Sequence, residues 1–233
     1  MQDELTAGYR ALCLGALLLR AQVEYMHAEP EGFVERLGPW LDEEGITEHI
    51  SAEEWRLLSL PTGTWTHQER IDVSWRIEAL GMLAWALSII PIAPPYDHVF
   101  TPRLVMRPLG LLQPTGDFFK MVELRSEQTI EWARHVAELW HWRARTNHIQ
   151  EKGIQPPGEL SFSQIVARTA RIAHEHGDLG PPLSNDFMAY NKPYRLLTDE
   201  EFATARSIAM ERHYALNWLC GLSDDWDNVP TDT

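Results

Sequence analysis

The stretch Trp75-Arg-Ile-Glu-Ala-Leu-Gly-Met-Leu-Ala-Trp-Ala-Leu87 decides how this chain is read. It is the longest apolar run, and it encloses one carboxylate, Glu78. Ile71, Trp75, Met82, Trp85 and Ile89 fall on one helical stripe, and Val73, Ile77, Leu80, Ala84 and Leu87 on another. A helix that is apolar on more than one face is buried by neighbours on several sides. The pattern therefore predicts the central helix of an all-α fold. Thr66 and Glu69 have the spacing of a capping box ahead of it. Asp72 stands four residues before Arg76, the favourable order for an ion pair on one face. Pro91 and Pro94-Pro95 stop the helix. A membrane span needs about 20 predominantly apolar residues, and Glu78 and Pro91 bound a shorter run. No basic residue lies at positions 74, 75, 81 or 82. Either a cation from another helix meets Glu78, or the side chain points outward along a thin polar edge, because a lone buried carboxylate is costly.

The 233 residues carry 20 Lys and Arg against 34 Asp and Glu, a formal net charge of −14. Lys120, Lys152 and Lys192 are the only lysines. An acidic chain without a basic block is a poor match to nucleic-acid phosphates or to anionic membrane. It suits a basic protein partner. Cys13 and Cys220 lie in apolar helical patterns and read as buried thiols, although spacing alone leaves a disulfide open. Met-Gln-Asp-Glu is acidic where a secretory signal starts basic, so a cytoplasmic location is the expectation.

Outward from the central run, a first helix covers 3–27 and Pro30 ends it. Residues 31–60 form an acidic section, with nine Asp or Glu and one Arg between Glu29 and Glu54. Such a run is a solvated face or a docking face for a basic partner. Phe33, Leu37 and Trp40-Leu41 suggest one short helix there, and Ser51 with Glu54 opens another. Residues 91–118 hold six prolines and read as a long ordered crossing loop without a regular helix. Helices follow at 126–150, ended by Gly153 and Pro156-Pro157, and at 161–176. An irregular connection covers 178–197. Thr198 and Glu201 cap a last helix that Gly221 stops, and an acidic tail occupies 222–233. The expectation is a single all-α domain of about seven helices, with no substantial sheet.

Glu131, His135, Glu138 and His141 share helical spacing, and Glu138-x-x-His141 is one half of the pattern used in di-iron bundles. Only one such motif is present, so no metal is expected. His174 and His176 point to opposite sides of a helix. The acids of Asp224-Asp225-Trp226-Asp227 either hold Mg²⁺ through their carboxylates or form a flexible, solvated tail, and the second is the expectation. There is no phosphate-binding glycine loop, serine elbow or Cys-x-x-Cys, and no cofactor is expected. What remains is a grouping of charges, amides and tryptophans on three helices: Trp75, Arg76 and Glu78; Trp140, His141, Trp142, Arg143 and Arg145; Glu211, Arg212, Asn217 and Trp218. Buried indoles seek acceptors and arginines fork onto carboxylates. Packed together, these groups form a structural ion-pair network or line a pocket for a small polar ligand.

Arg76-x-Glu78-Ala79-Leu80 with Trp85-Ala86-Leu87, Leu139-Trp140-His141-Trp142, Glu211-Arg212-x-x-Ala215-Leu216-Asn217-Trp218-Leu219 and the ending Asp225-Trp226-Asp227 with Thr231-Asp232-Thr233 resemble the bacterial family called domain of unknown function 4272. The segment Tyr9-Arg10-Ala11-Leu12 to Glu24 is similar to that family's early helix. The resemblance runs from about residue 8 to the end, and residues 31–60 match least. It implies a fold group and supplies no mechanism. The candidate ligand-binding residues are Arg76, Glu78, His141, Arg145, Glu211, Arg212, Asn217 and Trp218, with Asp227 from the tail. The expected function is non-enzymatic partner or ligand binding, regulatory or immunity-like. The alternative is an enzyme using a pocket around Glu78, His141 and Glu211, with or without metal assistance.

Overall fold

The computed structural model describes residues 1–26, 32–156 and 158–233. Pro30 and Pro157, expected above as helix terminators, lie outside those residues. The described residues form helices α1 (Glu4–Met26), α2 (Phe33–Glu43), α3 (Ala52–Leu58), α4 (His67–Ala86), α5 (Arg103–Leu109), α6 (Gly116–Met121), α7 (Glu127–Glu151), α8 (Phe162–Glu175) and α9 (Asp199–Leu219). A two-stranded antiparallel hairpin pairs β1 (Met188–Ala189) with β2 (Lys192–Pro193). The all-α expectation holds, with two more helices than the sequence suggested.

Both extra helices fall in the proline-rich segment read as a loop. Pro102 sits at the N-cap of α5, where its missing N–H costs nothing. Pro108 comes late in that short helix, and Gly110 closes it in the left-handed conformation at φ 58°. Pro114 precedes α6. The prolines therefore punctuate short helices here instead of excluding them. The central run also stops earlier than Pro91 implied. α4 ends at Ala86, and the N–H groups of Ile89 and Ile90 both donate back to the Ala84 carbonyl.

Four long helices pack in the order α1, α4, α9, α7, and α8 rests on the outer side of α7. The interior is thus shared between α4 and α9, where the sequence placed α4 alone. Ile77 to Ala86 are buried without a break. Burial on all faces explains why this run shows no single apolar stripe. Gly81 allows a close approach: a Cβ there would lie 2.7 Å from the Phe100 ring. The strap after α4 consequently folds down onto α4. Capping boxes fix the starts of α3, α4, α8 and α9 through Ser51/Glu54, Thr66/Glu69, Ser161/Gln164 and Thr198/Glu201.

The acidic tail is packed, contrary to the expectation of a flexible one. Trp226 and Val229 enter the core. Tyr214 donates its hydroxyl to the Trp226 carbonyl, and Asn217 Nδ2 donates to the Pro230 carbonyl at 2.7 Å. No helix among the described residues is long and apolar enough to cross a membrane. Cys13 and Cys220 are free thiols, and burial pushes Cys13 up to about 12.

Candidate functional site

Glu78 and Arg212 are fully buried, and they meet. Arg212 donates to Glu78 Oε2 from Nε at 3.0 Å and from Nη2 at 2.6 Å. Its remaining donors go to the carbonyls of Pro94 at 2.7 Å, Pro95 at 2.9 Å and His98 at 3.2 Å. A guanidinium has five N–H groups, and all five are engaged. Glu78 Oε1 accepts from the Phe100 amide at 2.7 Å. The Tyr96 ring lies 4.9 Å from the Arg212 carbon and stacks on Trp140 of α7. The cation missing near Glu78 in sequence is thus supplied by α9, and the pair clasps the proline-rich strap to α4.

Glu211, one residue earlier, faces another way. It accepts from Arg76 Nη1 at 3.1 Å, and that guanidinium sits 5.3 Å from the Tyr214 ring. Burial pushes the Glu211 carboxyl up against the downward pull of Arg76. Arg76 borders a cleft of about 160 Å³ between α3, α4 and the tail, which Glu53, Glu54, Glu69, Asp72 and Asp227 also line. Asp227 accepts from Ser51 Oγ at 2.7 Å and from the Glu53 amide at 2.9 Å, so the tail helps cap α3. Glu54 is buried. Its Oε2 accepts from Arg10 Nη1 at 2.6 Å, while its Oε1 has no partner among the described residues. Arg10 also donates to the His49 carbonyl and lies 4.9 Å from the Trp226 ring. Trp218 packs edge-on against Trp226, and neither its buried indole N–H nor Asn217 Oδ1 has a partner among the described residues.

His141 meets His213, not a carboxylate. Their Nδ1 atoms are 3.0 Å apart. Burial first, then Arg145 and Arg206, hold His141 down to about 4. Burial and His141 itself hold His213 down to about 3. Both rings are neutral at pH 7, so one Nδ1–H donates to the other ring. His141 and Arg145 border a cavity of about 310 Å³ together with His148, Arg206 and Asp232.

The predicted residues therefore divide among several places. Two hydrogen-bonded side-chain pairs join α4 to α9 and one joins α7 to α9, but no hydrogen bond joins any two of Glu78, His141 and Glu211. Among the described residues no group of three His, Cys, Asp or Glu side chains is arranged to hold a metal ion. Glu138 pairs with Arg134 at 3.4 Å, and His135 lies 3.5 Å from Asp178. Sequence reasoning missed Arg10, Glu54 and Asp186 as charged groups of the interior. Asp186 accepts both Nε and Nη2 of the buried Arg143. Their separation of 43 residues gives no local signal. Arg10 did carry one, since it is the one charge in the apolar stretch 7–19 of α1.

The family description "Domain of unknown function (DUF4272)" matches residues 4–172. The chain belongs to the DUF4272 family. The DUF4272 match includes Arg10, the acidic section, Arg76, Glu78, His141, Arg143 and Arg145. It ends before Glu211, Arg212, Asn217, Trp218 and Asp227, so the 211–219 block lies beyond it. No curated protein and no solved structure matches the chain.

Proposed function

We propose that this DUF4272 protein is a non-enzymatic binding protein that receives a lysine or arginine side chain of a basic protein partner. The cleft bordered by Glu53, Glu54, Glu69, Asp72 and Asp227 is the observation that carries this reading. Arg76 is the one cation on its wall among the described residues, and Arg10 and Arg56 engage three of the acids, Arg10 pairing with Glu54 and Arg56 with Glu53 and Glu69. A negative excess remains after all three are counted. The Thr66 amide and Arg56 hold Glu69 down to about 2, and Arg56 holds Glu53 low, so both are ionised at neutral pH. At about 160 Å³ the cleft is below the range of about 300–1,000 Å³ usual for small-molecule sites. It has room for the end of one long side chain. The net charge of −14 adds long-range attraction for a cation. The separate partners of Glu78, His141 and Glu211 leave no convergent acid–base set and so favour binding over catalysis.

Fluorescence polarisation with a labelled hexalysine peptide tests the proposal at low and high salt. Binding is expected at low salt and release at high salt. Asp72→Asn, in the cleft, should weaken binding more than Glu159→Gln, which removes the same charge at an exposed position elsewhere. No binding at low salt, or equal loss in the two variants, sinks the reading.

A further inference from the structure

On the opposite face of α7 from His141, a second cavity of about 410 Å³ opens between α7, the first turns of α8 and the loop before β1. Arg143 and Arg195 form part of its wall with Ser163, Ser184 and Asn185. Arg143 is 1% exposed, and its Nε and Nη2 are held by Asp186 at 2.7 and 2.9 Å. Its Nη1 is buried and has no acceptor among the described residues. A buried charged donor left without a partner is costly, so this nitrogen marks a place where an acceptor is missing.

The surroundings agree in sign. Asp186 cannot supply the acceptor, because its oxygens already take Arg143, the Phe187 amide at 2.8 Å and the Arg195 amide at 2.9 Å. Arg195 brings a second guanidinium, held by the Ser184 carbonyl at 3.1 Å. Two arginines against one aspartate leave one positive charge at the cavity of a strongly acidic protein. The α8 amino terminus adds its partial positive charge from the Ser163 turn. Ser184 and Asn185, at φ 50° and 63°, form a tight turn, and both border the cavity. Val166 adds an apolar wall. The volume falls within the range of small organic ligands.

We propose that this cavity binds a small carboxylic acid, its carboxylate seated against Arg195 at the amino end of α8, beside the Arg143 guanidinium. A single excess positive charge matches a carboxylate better than a doubly charged phosphate. The site is separate from the acidic cleft, and its test does not depend on that reading.

Isothermal titration and thermal melting of the full chain with acetate, benzoate, inorganic phosphate and phenyl phosphate test the assignment. Benzoate and phenyl phosphate share a ring and differ in the charged head. The expected result is saturable binding of benzoate, with a raised melting temperature and an affinity about tenfold lower in Arg195→Gln. The Arg195 side chain is 47% exposed, and the substitution gives up its 3.5 Å ion pair with Asp186 and its bond to the Ser184 carbonyl while the Arg195 backbone bond to Asp186 survives. Arg171→Gln, at an exposed position of α8, removes an equal charge and should bind as the wild type does. Failure of both carboxylates to bind at millimolar concentration overturns the proposal, as does unchanged binding by Arg195→Gln. Tighter binding of phenyl phosphate than of benzoate overturns the carboxylate assignment.

Discussion

Arg212 and Arg143 are both buried arginines forked onto a carboxylate, yet their surroundings treat them differently. Arg212 spends all five donors, on Glu78 and three strap carbonyls. Arg143 spends two on Asp186, and its Nη1 has no acceptor among the described residues. Burial and ion pairing are common to the two and so do not separate scaffold from site. What separates them is the hydrogen-bonding capacity left over. A saturated guanidinium holds elements together, and an unsaturated one beside a cavity is able to receive a ligand.

Substitution should expose this difference most strongly at the two arginines themselves. Arg212→Met strands a buried Glu78 and frees three strap carbonyls, and a loss of about 3–5 kcal/mol is expected in urea denaturation. Arg143→Met also strands its aspartate, but it removes an unmet donor at the same time. Its cost should be smaller by about 1–3 kcal/mol. Equal costs would show that the idle Nη1 is satisfied in solution, and the distinction between the two arginines would fail.

Acid comes next in expected effect. His141 and His213 are held near 4 and 3 in the folded protein, below the ordinary value of 6.5. The unfolded chain therefore binds more protons between those values. The stability from keeping the pair neutral is complete above about pH 6.5 and falls as pH drops toward about 4. Denaturant midpoints measured across this window should decline in the wild type. The decline should flatten in His141→Gln, and an unchanged slope in that variant would remove the pair from the explanation.

The smallest effect concerns the tail. Asp227→Ala removes an acceptor from the Glu53 amide and from Ser51 at the start of α3, where loss of a cap costs about 1 kcal/mol. Thermal melting reads it. A much larger loss would mean that Asp227 anchors the whole tail.

Much of the frame was legible along the chain, because its signals are local. Thr66/Glu69, Ser51/Glu54 and Thr198/Glu201 stand three residues apart and do cap their helices. Glu78 could be read as needing a partner from elsewhere, since nothing one turn away carries positive charge. The partner's identity was tertiary information: Arg212 is 134 residues distant. The short helices α5 and α6 escaped because prolines allowed at a cap or a last turn look the same in sequence as prolines that break a helix. The tail escaped because its packing rests on Trp226, a single large side chain in an acidic setting. Arg143 stood in view on α7, but the unmet nitrogen that distinguishes it depends on where Asp186 comes to rest.

The clasp at Glu78 has a mechanical consequence. One carboxylate and one guanidinium gather the Pro94, Pro95, His98 and Phe100 backbone into a single knot, with Gly81 leaving no slack beneath the Phe100 ring. Such a knot has no half-tied state, since freeing any one strand exposes a charge that the others were sharing. The segment between α4 and α5 thus belongs to the same cooperative unit as the helices it bridges, and it comes undone only when they do.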